Sequence, residues 1–130
     1  MAVDENRTTR SYLFGRLLAV ADEAEQYALY KSGESGRNTA AMRYFSAFAA
    51  QPAACWVTIR KSLQVYLEKL GASAFFYKRL IDEITDKFVI DEFNDNSQLS
   101  GEYLIGYSNQ IQELRLKKEK NKENNIEEEE

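Results

Sequence analysis

The stretch PAACWVTIRKSLQVYLEKLG, residues 52–71, decides how the rest of the chain is read. Trp56, Ile59, Leu63, Tyr66, Leu67 and Leu70 recur at the three-and-four spacing of a helix with one buried stripe. Pro52, the only proline, suits the first turn, where its missing N–H leaves no bond unmade. It pushes Gln51 out of the α region, so any preceding helix should break there. Gly71 suits the left-handed position that closes a helix.

The same period continues on both sides. Upstream, a helix is predicted over about 38–50, capped by Asn38 or Thr39, with Met42, Phe45 and Phe48 or Ala49 on its apolar face. The run KSGESGRN at 31–38 reads as a loop. Before it, a helix over about 11–30 carries the stripe Leu13, Leu17, Val20, Ala24 and Tyr27; Ser11, Thr8 or Thr9 can start it. Gly15 inside that helix costs about 1 kcal/mol relative to Ala, so a close helix–helix approach is expected there.

Downstream, Phe76, Leu80, Ile81, Ile84 and Phe88 define a helix over about 73–88. DEFNDN at 91–96 is a polar turn, with Phe93 placed to anchor it on the core. A last helix over about 97–118 carries Tyr103, Leu104, Tyr107, Ile111 and Leu114, punctuated by Gly101 and Gly106. Strand-like alternation is lacking. The reading is all-α: a compact bundle of about five helices over residues 1–114, then a charged tail over 115–130. The first half of the tail should extend the last helix, and the rest, with Ile126 its one apolar residue beyond Leu116, should be disordered.

The 130 residues suit one domain whose core needs no disulfide or metal. Cys55 is the only cysteine, which fits a buried core residue in a reducing compartment. Histidine is absent, which removes zinc sites and the Ser–His–Asp and Cys–His arrangements. GESGR at 33–37 is too short for a phosphate loop and follows no strand. Asp82, Glu83 and Asp86 read as a solvated helix face, and Asp91, Glu92 and Asp95 as a capping turn without the EF-hand order. The expectation is a protein that binds rather than catalyses, with no cofactor and no small-molecule substrate. No run approaches the roughly 20 apolar residues of a membrane span, and residues 1–10 lack an apolar signal core, so a cytoplasmic location without membrane contact is expected.

Net charge is −4, so nucleic-acid contact would need a local basic face. One such stretch exists. Residues 37–62 contain Arg37, Arg43, Arg60 and Lys61 and no acid. A phosphate-facing surface accounts for that segregation. Lys78 and Arg79 come second, and Arg7, Arg10 and Arg16 cluster near the N-terminus. Among the aromatics, Phe14, Phe45, Phe48, Trp56, Phe76 and Phe88 are expected to pack, while Tyr12, Tyr27, Tyr44, Tyr77 and Tyr107 are candidates to bring a hydroxyl to the surface.

Five blocks carry a family resemblance: SYLFGRLLAVADEAEQYAL at 11–29, RNTAAMRYFSAFAAQPAACW at 37–56, YKRLIDEI at 77–84, DEFNDN at 91–96 and LSGEYLIGYSNQIQEL at 99–114. In order and spacing they resemble the C-terminal helical region of the type I-C CRISPR-associated large subunit. That region is also made separately, from an internal translation start, as the small subunit of the Cascade effector complex, and a chain opening with Met1 just ahead of the first block looks like that product. The resemblance implies a non-catalytic helical subunit that bridges the large subunit and the repeated backbone subunits. It implies stacking against neighbouring copies of itself and contact with crRNA-guided target DNA, holding the target or displaced strand of the R-loop by its backbone. Arg37, Arg43, Arg60 and Lys61 lie in or beside the second block and Lys78 and Arg79 in the third, which makes these six the candidate nucleic-acid-binding residues. A helical adaptor that contacts protein alone is the competing reading.

Overall fold

The computed structural model describes residues 3–34 and 36–129, the stretch 118–129 as backbone alone. Six helices follow in order: α1 (Arg10–Lys31), α2 (Ala40–Arg43), α3 (Phe45–Ala50), α4 (Pro52–Leu70), α5 (Ser73–Thr85) and α6 (Glu102–Glu129). No strand occurs among the described residues. The all-α bundle is therefore as expected, with one helix more than the sequence suggested. The additional break falls at Tyr44, whose backbone (φ −101°, ψ 10°) separates α2 from α3. The split of the chain into a bundle over 1–114 and a tail over 115–130 turns on side chains of 118–130, which lie outside the described set.

Local chemistry accounts for most boundaries. Pro52 opens α4 in its first turn and Gly71 closes it at φ 60°. Thr39, not Asn38, caps α2: its hydroxyl accepts the Met42 N–H at 3.1 Å. α1 begins one residue before Ser11, with Thr9 as its cap residue. Three boundaries differ more. α5 ends at Thr85, short of Phe88, and α6 starts at Glu102 rather than near Ser97 and runs on to Glu129 rather than ending near Lys118. The connection between them is pinned instead of helical. Ser97 donates both its N–H and its hydroxyl to the Asp95 carboxylate, Leu99 N–H reaches Ala49 O at 2.7 Å, and Asn96 accepts the Ala54 N–H at 3.1 Å. The two Ser97 bonds also hold the Asp95 carboxyl below its usual range.

α1 is the axis of the molecule and packs against α2, α4, α5 and α6. The sequence stripe is buried from Leu13 to Ala24 and half-buried at Tyr27, but every other residue from Ser11 to Glu25 is buried too. Its closest neighbour is α6. Ser11 meets Ser100, Arg16 meets Gln110 and Glu23 meets Arg115, so the two helices run in the same direction. They cross glycine to glycine. A Cβ on Gly15 would sit 2.0 Å from the Tyr103 carbonyl oxygen, and one on Gly106 would sit 2.1 Å from the Tyr12 carbonyl oxygen. This is the close approach that Gly15 called for.

The core is aromatic at one end and polar at the other. Phe93 stacks on Phe14 at 5.9 Å and both contact Phe88, so the DEFNDN turn is indeed anchored. Each such ring pair adds about 0.5–1.5 kcal/mol beyond area burial. At the other end the Asp22 carboxylate accepts from Thr39 (2.5 Å), Gln26 (2.8 Å) and Tyr107 (3.1 Å). Glu25, also buried, accepts the Ala40 N–H at 2.8 Å and so holds the start of α2. Burial pushes the Glu25 carboxyl above its ordinary value of 4.5.

Several side-chain expectations are corrected here. Tyr12 and Tyr77 are buried rather than presenting hydroxyls, and Tyr77 is pushed up to about 12, chiefly by burial and also by nearby Glu23. Phe76, Met42 and Leu104, expected inside, are each more than 40% exposed. Helical spacing places a residue on a face, but only the neighbours decide which part of that face is covered.

Candidate nucleic-acid interface

The basic side chains fall into two groups with different fates. Arg7, Arg10 and Arg16 are engaged within the fold. Arg7 pairs with Glu102 at 3.1 Å and lies over the Tyr12 ring. Arg10 donates to the carbonyls of Asp95 and Ser97, at 2.7 and 2.6 Å, and covers the Phe14 ring. Arg16 is 2% exposed and donates to Gln110 at 2.8 Å, with Glu5 3.7 Å away. These three cations hold the N-terminal segment and α1 to α6 and to the connection before it; Arg10 and Arg16 are covered by those contacts, and Arg7 keeps a solvated edge.

The six candidate residues are all on the surface, in three settings. Arg37 and Arg79 pair with Glu34 (3.4 Å) and Glu83 (3.3 Å). Both pairs are solvated, so each is worth about 0–1 kcal/mol and yields easily to a better anion. Arg43 donates to the Asn38 carbonyl at 3.3 Å and stands near Glu25, whose charge it favours. Arg60, Lys61 and Lys78 form no ion pair or hydrogen bond among the described residues. They are long cations in solvent with no internal task.

The fold brings two of these together. A groove of about 310 Å³ runs between α4 and α5, lined by Trp56, Leu63, Leu67, Ile81 and Phe93 with Arg60, Gln64, Lys78, Asp82 and Thr85. The first set is largely buried and apolar, and forms the floor. Arg60 enters from α4 and Lys78 from α5, so two unpaired cations face one cleft. Lys61 is one residue further round α4. Arg43 is elsewhere: it stands near Glu25, and Glu25 meets Ser62 on the opposite flank of α4, since residues 60 and 62 point about 200° apart on a helix. The acid-free stretch thus contributes to more than one face.

Sequence reasoning missed the rest of the groove. Asp82 lies on the solvated face with Glu83 and Asp86, as expected, and in addition lines the cleft. Gln64 and Thr85 carried no signal, because a polar residue on an exposed helix face is unremarked until a neighbouring helix makes a wall beside it. Among the described residues, no three of His, Cys, Asp and Glu group as metal ligands would, and no helix is long and apolar enough to cross a membrane.

Chemically, the cleft offers cations at its rim, an apolar floor and a few polar groups between, the composition of a site for a phosphate-bearing ligand. A comparison with curated proteins gives no match. The family model described as CRISPR-associated protein (Cas_Csd1) matches residues 1–115, most of the chain. The chain therefore belongs to the CRISPR-associated Cas_Csd1 family.

Proposed function

We propose that this protein is the non-catalytic small subunit of a type I-C Cascade effector complex and that it steadies the R-loop by binding the DNA backbone. The carrying observation is the contrast among cations: Arg60, Lys61 and Lys78 are exposed and unpaired among the described residues, while Arg7, Arg10 and Arg16 are engaged in the fold. Family membership and the all-α fold support the same reading. With a net charge of −4, the chain has little long-range attraction for free DNA. Its cations would act within a surface shared with the large subunit, the repeated backbone subunits and neighbouring copies. In the same reading this region of the large subunit is made separately, and codons lying in frame at the 3′ end of a longer gene would support that origin.

The test is the triple variant R43A/R60A/K61A in the assembled complex. Assembly should survive. Binding of target double-stranded DNA should weaken, and the slope of log K against log salt should fall by roughly 2–3, or about 0.9 for each phosphate left without its cation. Unchanged binding and slope would sink the phosphate assignment.

Exposed apolar side chains favour a second reading, a protein-only adaptor. Phe75 is 70%, Val65 56% and Ile90 87% exposed, the kind of surface that partner subunits cover. On that reading, crosslinks from the α4 and α5 surfaces would reach protein and never DNA.

A further inference from the structure

The α4–α5 groove has more in it than a phosphate requires. A bare phosphodiester needs cations and N–H donors and is repelled by a carboxylate. Here Asp82 stands four residues from Lys78 on the same helix, lines the same cleft and forms no ion pair with it. Gln64 and Thr85 add an amide and a hydroxyl, and the floor is apolar and aromatic, with Trp56 and Phe93. An occupant that satisfies all of these is negative at one end, flat and apolar in the middle, and carries N–H donors at its edge. A nucleotide has that distribution. Exocyclic amines of cytosine and adenine are donors that a carboxylate or an amide oxygen accepts. Base faces rest on aromatic and apolar side chains. The volume, about 310 Å³, lies at the low end for ligand pockets and suits one such unit rather than a duplex.

We propose that the groove holds a single unstacked nucleotide of a DNA strand, its base against the half-buried Phe93 and Ile81 beside Asp82 and Gln64, and its phosphate between Arg60 and Lys78. This deepens the functional reading above and rests on it. A paired base is covered on both faces by its neighbours, so the site would select single-stranded over duplex DNA. That selection is useful where a duplex is being held open.

The assembled complex on target DNA tests this. Either strand is built with 5-iodocytosine, which keeps the exocyclic amine, at successive cytosine positions, irradiated, and the crosslinked residues are mapped. The proposal expects a crosslink to Phe93 from a confined set of positions in one strand. Gln64 is exposed, so Q64F should fold normally and fill the cleft, cutting that crosslink by about tenfold, the scale of a single base–aromatic stack. K78A should reduce it and lower the salt slope by about one unit. Salt-sensitive binding that depends on Arg60 and Lys78, with no crosslink in the groove from any position, would overturn the nucleotide site and leave the phosphate reading standing. Groove residues crosslinking to a protein subunit, with DNA affinity indifferent to Arg60 and Lys78, would overturn both.

Discussion

Arg16 and Arg60 look alike in the sequence, each a cation on an otherwise regular helix, and the fold uses them in opposite ways. Arg16 is buried against Gln110, 94 residues away. Arg60 stands in solvent at the mouth of a cleft. The same contrast separates the whole N-terminal set from the α4–α5 set. Counting acids at three or four residues' distance detects only local partners. The partners of Arg7, Arg10 and Arg16 arrive from Glu5 and from the chain around 92–110, where no sequence window would pair them. A basic cluster becomes a candidate binding surface only after the long-range acids and carbonyls have been assigned.

The strongest way to break this division is to separate α1 from α6, because that packing is what buries Arg16. Gly15→Val places side-chain carbon where the Tyr103 carbonyl lies 2.0 Å away. Backbone must move, and a loss of about 3 kcal/mol or more is expected in urea unfolding. Gly106→Ala should act in the same direction from the other side of the crossing.

Next in size is the direct exchange. Arg16→Met keeps the bulk but leaves the buried Gln110 amide without its partner, at about 1–3 kcal/mol. Arg60→Met should change stability by less than about 0.5 kcal/mol. Equal destabilisation by the two would erase the distinction on which the candidate surface rests.

The smallest effect concerns a buried acid. Glu25 has a folded pKa above its ordinary 4.5, chiefly through burial. Between that value and the raised one, the folded state keeps a proton that the unfolded state has released. The contribution of Glu25 to stability is therefore fullest below pH 4.5 and is lost as pH rises through the folded value. Glu25→Gln retains an oxygen for the Ala40 N–H and removes the ionisation. Its stability relative to the parent should rise with pH across this window, read from unfolding midpoints. A flat difference would show that the carboxylate is adequately paired by its neighbours.

Much of the fold was legible because helices announce themselves locally. The period of 52–71, Pro52 at the first turn and Gly71 at the end gave α4 to the residue. Gly15 announced a close crossing without naming its partner, Gly106. The break at Tyr44 was not legible, since residues 38–50 hold neither proline nor glycine. Nor was the all-round burial of α1, where Asp22 and Glu25 would be read as a solvated face unless Thr39, Tyr107 and the Ala40 N–H were known to meet them.

The sequence by itself determined the helical class, most helix boundaries and the stretch where basic residues go uncompensated, because periodicity, caps and local charge act over a few residues. Only the tertiary structure decided which cations remain free and that Arg60 and Lys78 share one groove with Asp82. The physical reason is reach: an ion pair or a cleft wall is made by whatever the packing brings within a few ångströms, and in this chain that is often some 90 residues away.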